Sequence, residues 1–300
     1  MDKAISKADA LLEALNYIQR FKGRIVVVKL GGSLMEEEVS QRDLLRDVVF
    51  MSTVGMQPIL VHGGGKRISA AMQQAGIEPK FVQGIRTTDK KTLAIAEDVL
   101  VNEINEVIVG TLNELGGKAI GLHSKSSCVL FAERLQLEDD QGEMIDLGYV
   151  GKIHKVNTEL LSTLCQAGTI PVIAPIARDG SGGKLNVNAD SAAGIVAREI
   201  QADKLVMMSD RHGIFADQAE ASSQFSQLDR KQVEGLIESG TINGGMLPKV
   251  EACLGALNGG VGRTHIIDGN IAHSLLLEIY TDQGVGTLIV EEPGMDTDGH

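Results

Sequence analysis

Short, almost wholly apolar runs alternate along this chain with longer segments of helical period. Residues 6–21 place Ala8, Leu11, Leu12, Leu15 and Ile18 on one face, with Ser6 as N-cap and Asp9 three residues on, which predicts an amphipathic helix ahead of the first strand. Residues 24–30 (Arg-Ile-Val-Val-Val-Lys-Leu) are too apolar for an alternating edge strand and end at Gly31-Gly32-Ser33, so they predict a buried parallel strand and a tight turn. The order recurs at 58–61, where the apolar run meets His62-Gly63-Gly64-Gly65 before a helix over 66–75 that Gly76 can end. A long helix is predicted over 89–115, carrying Leu93, Ala96, Val99, Leu100, Val107 and Ile108 and stopped by Gly116-Gly117. From 119 to about 154, short alternating runs broken by Asp139-Asp140 and Leu147-Gly148 predict hairpins over the lip of a sheet.

Beyond this, helices are expected over 157–167, 190–200, 229–238, 248–257 and 271–278, and strands over 169–174, 204–208, 264–267 and 287–290. There is no internal repeat and no low-complexity linker. Such alternation implies an α/β fold, a mostly parallel sheet with helices on both faces, whose ligands sit beyond the carboxyl ends of the strands.

Composition narrows the function. With 43% hydrophobic and 23% charged residues over 300 positions, the chain can bury a large core. Its 28 Lys+Arg against 40 Asp+Glu, a formal charge of −12, argue against a broad nucleic-acid or anionic-membrane surface, although a local basic pocket stays possible. Cys128, Cys165 and Cys253 lie too far apart for a C-x-x-C zinc or redox site, so they read as buried small apolar residues. The N-terminal segment has neither the apolar stretch of a signal peptide nor that of a membrane span, which makes a cytoplasmic location the expectation.

The glycine loops are where chemistry is expected, because backbone N–H groups after a strand, joined by a helix N-terminus, attract anions. Neither is a Walker A loop, since Gly65-Lys66 is followed by Arg67. Neither follows G-x-G-x-x-G, which counts against a dinucleotide enzyme. Lys29 interrupts a buried run one residue before a glycine turn, so it either snorkels or meets an anion. Lys249 follows Pro248 at a helix entrance, where a cation opposes the dipole unless an anion compensates it. Asn186-Val-Asn188-Ala-Asp190-Ser191 opens another helix, and capping by Asn188 or Asp190 would by itself explain that cluster.

These pieces occur together and in order. V-V-V-K-L-G-G-S (26–33), V-H-G-G-G (61–65), F-V-Q-G-I-R-T-T-D (81–89), L-N-V-N-A-D (185–190), G-G-M-L-P-K-V (244–250) and G-V-G-T (284–287) resemble the N-acetylglutamate kinases of the amino-acid kinase superfamily, from about residue 9 to 291. The resemblance implies that fold, a three-layer sandwich with an added N-terminal helix. It implies a helix for oligomerisation and regulation over 1–22, a lobe over 23–180 for acetylglutamate binding and dimerisation, and a lobe over 181–300 for ATP and effector. It also implies transfer of the γ-phosphoryl group of MgATP to the side-chain carboxylate of N-acetyl-L-glutamate in arginine biosynthesis. That carboxylate is ionised at neutral pH, so the task is to bring two anions together rather than to remove a proton. By the same resemblance Lys29, Lys249 and Asp190 form the catalytic set, with Asp190 holding the two lysines. Gly64, Gly65, Arg86 and Asn186 bind the substrate, Arg86 as a bidentate clamp that composition alone would have read as a surface arginine. Gly31, Gly32, Gly63, Ser209, Asp210 and Phe215 belong to the phosphate and nucleotide site. No metal ligand can be assigned, because Mg²⁺ in such sites is held largely by phosphates and water.

Arginine-inhibited members resemble the chain at both ends. This implies a hexamer built as a trimer of dimers through the N-terminal helix, and an L-arginine site formed by Tyr17, His265, Glu278 and Gly284. The alternative for the helix is packing on its own subunit. Lys66, Thr87 and the segment 121–127 depart from the family pattern, and they expose the choice of acceptor most. Rival readings are a kinase for aspartate, glutamate or a carrier-bound aminoadipate, and a catalytically silent arginine or nucleotide sensor. A PII-type partner, known for some relatives, has no signal here.

Overall fold

The computed structural model describes residues 18–31, 38–138, 141–217, 220–280 and 284–292, together with Ile5, Leu12, Ala14 and Leu15. An eight-stranded sheet runs in the order Gln227–Asp229, Thr287–Val290, Arg263–Asp268, Lys204–Ser209, Ile25–Leu30, Gln57–His62, Ile170–Ile173, Ala119–Leu122. Neighbours from Arg263–Asp268 to Ala119–Leu122 pair in parallel. Thr287–Val290 reverses direction against Arg263–Asp268, and Gln227–Asp229 runs parallel to it at the edge. The first strand is therefore central, flanked by Gln57–His62 and by Lys204–Ser209.

Because side chains of a strand alternate in direction, the apolar runs feed two cores. Val27, Ile59, Val61, Leu205 and Met207 join one core with Ala192 and Val196 of helix Ala189–Glu199 and with Val250 and Cys253 of helix Leu247–Asn258. Val26, Val28, Leu30, Leu60 and Met208 join the other. That second core takes in Leu45 and Val48 of helix Glu38–Thr53, Ile68 of helix Gly65–Gln74, Ile104 and Ile108, and Leu275 of helix Ser274–Tyr280. The result is the expected three-layer α/β sandwich.

Several expectations change. The long helix over 89–115 runs as α-helix Lys90–Glu97, a π-helical stretch Asp98–Asn105 and α-helix Glu106–Glu114, with Asp89 as N-cap accepting from Thr92 N–H. Ala119–Leu122, read with the hairpins, is instead the edge strand of the main sheet. Leu130–Arg134 and Gly151–Val156 do pair antiparallel, in a second four-stranded sheet with Ile176–Arg178 and Lys184–Asn186. Cys165 and Cys253 are buried and burial pushes both thiols up to about 12, whereas Cys128 is half-buried. Of the N-terminal helix, residues 18–21 are helical, and Ser6 and Asp9 lie outside the described residues. No described helix is long and apolar enough to cross a membrane.

Candidate active site

Lys29 shares a strand face with Val27, the face covered by helix Ala189–Glu199, and there it meets Asp190. Lys29 Nζ lies 2.7 Å from Asp190 Oδ1, and Lys249 Nζ lies 3.1 Å from Asp190 Oδ2. The lysine thus does not snorkel; it is a buried ion-pair partner. Burial draws the Lys29 ammonium below its usual range, with the carboxylate of Asp190 opposing that shift. Burial raises the Asp190 carboxyl, but the two ammonium groups together outweigh it and hold the acid below its ordinary value. Asn188 does the capping in this cluster, accepting from Ser191 N–H at 2.9 Å, which leaves Asp190 free for the lysines.

A cavity of about 260 Å³ opens beside this triad, lined among others by Gly63, Gly64, Gly65, Arg86, Asn186 and Asp190. Two helix N-termini line it, at Gly65 and at Ala189, and Lys249 reaches Asp190 from the start of a third helix. Unpaired N–H groups at such ends, together with two lysines, make the pocket strongly attractive to phosphate and carboxylate. Gly64 is needed for closeness, since a Cβ there would fall 2.7 Å from Leu100 Cδ2 and Ile104 Cδ1 of the π-helical stretch.

Arg86 arrives by a two-residue hairpin, Phe81–Val82 against Ile85–Arg86, whose turn residues Gln83 and Gly84 have φ of 48° and 77°. Its guanidinium is buried and lies over the Phe81 ring, 4.7 Å from the centroid. Nη2 donates to Gly65 O and to Ser69 Oγ, both at 2.8 Å, which pins the group to the first turn of the helix that opens the pocket. Asn186 ends the strand Lys184–Asn186 and donates from Nδ2 to Thr88 Oγ1 at 3.3 Å. Beneath the glycine loop, buried His62 places Nδ1 3.2 Å from Gly63 O and receives Asn105 Nδ2 on Nε2 at 3.1 Å; burial lowers its pKa to about 4.

Other expected residues lie apart from the cavity lining. Gly31 follows the Lys29 strand and is buried, while Gly32 is outside the described residues. Ser209 ends the neighbouring strand, its Oγ 3.5 Å from Asp210 Oδ1, and Phe215 pairs with Gln224 farther along. Gly31 and Ser209 occupy the same carboxyl edge of the sheet, but not the wall that holds Arg86 and Asn186. His265, Glu278 and Gly284 do assemble elsewhere. His265 Nδ1 stands 2.7 Å from Glu278 Oε1, Val285 N–H donates to Glu278 Oε2, and a Cβ on Gly284 would sit 3.5 Å from that carboxylate. Tyr17 lies outside the described residues. Sequence reasoning gave no role to the apolar walls Phe81, Leu100 and Pro175 or to Lys204, a buried lysine near Glu278 whose pKa burial lowers to about 8. These residues come from distant segments, and no local pattern announces them.

The amino acid kinase family model matches residues 24–268. The acetylglutamate kinase of Caldanaerobacter subterraneus subsp. tengcongensis is 47% identical over 96% of this chain and 94% of its own length, and that of Symbiobacterium thermophilum is 46% identical over 96% and 99%. Among solved structures, N-acetylglutamate synthase from Neisseria gonorrhoeae, complexed with coenzyme A and N-acetyl-glutamate, superposes with a TM-score of 0.83 at 26% identity. That match covers 95% of this chain and 63% of the synthase. Matched by the family model through both glycine loops, and sharing nearly half its residues with acetylglutamate kinases almost end to end, the chain belongs to the amino acid kinase family, in its acetylglutamate kinase branch.

Proposed function

We propose that this enzyme transfers the γ-phosphoryl group of ATP to the side-chain carboxylate of N-acetyl-L-glutamate, giving the acyl phosphate and ADP. The observation that carries the reading is the Lys29–Asp190–Lys249 triad on one flank of a cavity whose other wall holds Arg86 and Asn186. Arg86 is suited to the α-carboxylate through its permanent charge, which bonds from Nη2 to Gly65 O and Ser69 Oγ and from Nη1 to Met72 Sδ fix at the cavity wall; with both Nη2 protons so engaged, the bidentate fork is not left open as it stands. Held there, the substrate directs its second carboxylate toward the lysines. One carboxylate oxygen bonds to the γ-phosphorus while the bond from that phosphorus to the β,γ-bridging oxygen breaks, and ADP leaves with the electron pair. No general base is required. The two ammonium groups and the helix N-termini offset the charge of the transferring group, and Asp190 keeps both lysines in place without itself meeting it. Mg²⁺ would be held largely by the phosphates of the nucleotide and by water. We assign acceptor recognition mainly to the lobe over 23–180 and the nucleotide to 181–300, with Gly31, Gly32, Gly63, Ser209, Asp210 and Phe215 on the nucleotide side.

Arginine inhibition of a hexamer is the finer part of this reading. It is supported by the buried His265–Glu278 pair next to Gly284, and by Tyr280, whose ring makes edge contacts with Phe21 at the end of the N-terminal helix and with Phe50. Glu278 would then receive the guanidinium of the effector, with Tyr17 closing the site.

A coupled assay of ADP release with MgATP and N-acetyl-L-glutamate, run beside L-glutamate, L-aspartate and aminoadipate, tests the activity. Turnover with the acetylated acceptor alone, abolished in Lys29→Ala and Lys249→Ala, is expected. Turnover with another acceptor would move the substrate assignment, and no turnover with any acceptor would favour a silent sensor. Sedimentation as dimers only, with activity unchanged in millimolar arginine, would sink the regulatory part.

A further inference from the structure

Arg86 and Asn186 stand on different elements, and one buried hydroxyl links them. Thr88 is fully buried. Its Oγ1 lies 2.9 Å from Arg86 O and 3.3 Å from Asn186 Nδ2. A carbonyl cannot donate, so the hydroxyl proton goes to Arg86 O, and the oxygen can then only accept from Asn186. The order of donors therefore runs one way, from the Asn186 amide to Thr88 to the Arg86 carbonyl. This sets which end of the amide faces Thr88 and leaves Oδ1 as the free acceptor for a ligand.

The backbone around Thr88 holds the hub in register. Thr88 N–H donates to Leu147 O at 2.9 Å, Tyr149 N–H to Thr88 O at 2.6 Å and Asn186 N–H to Tyr149 O at 2.9 Å. Parallel bridges Thr88↔Gly148 and Val150↔Asn186 continue this stitching. Three segments remote in sequence are thus tied side by side, and the side-chain bond from Asn186 to Thr88 lies at the cavity end of that tie.

We propose that Thr88 is a positioning residue for acceptor binding, which fixes the Asn186 amide in one orientation relative to Arg86. The inference rests on the reading of this cavity as the acceptor pocket. Losing one neutral hydrogen bond that matters to binding corresponds to about a tenfold change in affinity. Thr88→Val, which keeps the shape and removes the hydroxyl, is expected to raise KM for N-acetyl-L-glutamate about tenfold and to leave KM for MgATP unchanged. Thr88→Ser, which restores the hydroxyl, is expected to return KM close to the wild-type value. In an Asn186→Ala background the same Thr88→Val change is expected to add nothing, because its target is gone.

A purely structural role for Thr88 predicts a different pattern. An equal tenfold loss in the Asn186→Ala background, a parallel rise in KM for MgATP, or an unchanged KM in Thr88→Val would each overturn the proposal. Melting curves of the wild type and the four variants separate misfolding from misplacement, and Thr88→Ala, which also lacks the hydroxyl, carries the test if Thr88→Val does not fold. If the wild-type enzyme turns over a different acceptor, the substrate reading fails, and the same cycle run with that acceptor still decides the role of Thr88.

Discussion

Lys29 and Asp190 face each other at 2.7 Å with both side chains more than nine-tenths buried. Removing one charge from such a pair strands the other in a medium that solvates it poorly, a loss of about 3–5 kcal/mol in comparable cases. Asp190→Asn should therefore lower stability by about that amount, in addition to abolishing turnover, because Lys249 loses the same anchor. Lys29→Met combined with Asp190→Asn should recover part of the lost stability and none of the activity. Urea unfolding of the three proteins checks this, and a single variant as stable as the wild type would contradict it.

His62 supplies the pH dependence. Its imidazole is held neutral in the fold with a pKa of about 4, against 6.5 for the free group. Here the folded value is depressed, so the unfolded chain takes up the proton first as pH falls. The contribution of the neutral ring is fully present above pH 6.5 and is lost progressively between 6.5 and 4, by roughly 3 kcal/mol. Unfolding midpoints measured across that window should fall steeply for the wild type and less so for His62→Asn.

Arg86→Lys retains the charge and loses the fork. A lysine ammonium cannot span Gly65 O, Ser69 Oγ and Met72 Sδ as the guanidinium does, so the charge is no longer fixed at the cavity wall. KM for the acceptor should rise by about 10- to 100-fold, with a smaller effect on KM for MgATP. Equal changes in both constants would point to a general disturbance of the glycine loop instead.

Gly148 has φ of 73°, and a Cβ there would meet Thr88 O at 2.3 Å. Both the backbone conformation and the contact forbid a side chain, and the obstacle is backbone that cannot rotate away. Gly148→Ala should destabilise by at least about 1–3 kcal/mol and weaken acceptor binding, since Thr88 must shift. Calorimetry alongside acceptor titration would show whether the two losses occur together.

The sequence makes the main sheet readable wherever an apolar run is continuous, as at 25–30, 57–62, 204–209 and 263–268. Local pattern says nothing about neighbours, so Ala119–Leu122 looks like hairpin material although its partner is Ile170–Ile173, and the reversal of Thr287–Val290 has no local mark. Helix Glu38–Thr53 has no counterpart in the sequence reading, although Leu44, Leu45, Val48 and Val49 repeat at helical spacing behind a run of glutamates. In the site, Lys29 is conspicuous because a charge interrupts an apolar strand. Arg86 gains meaning only from its surrounding motif. Thr88 stands in the same motif, but its contacts were not legible there because Gly148, Tyr149 and Asn186 lie 60 or more residues away.

The central place of the first strand has a consequence for synthesis. Residues 25–30 leave the ribosome early, but one neighbouring strand, 204–209, and the counter-charge at Asp190 come more than half a chain later. Until then Ile-Val-Val-Val-Lys-Leu has an open edge, the kind of segment that recruits other chains. Lys29 is the one charge within it, and an unpaired lysine on an exposed edge discourages such association. The lysine proposed to serve phosphoryl transfer thereby has a second task, in the growing chain. Stalled chains ending near residue 200 should stay dispersed with Lys29 and aggregate with Lys29→Met.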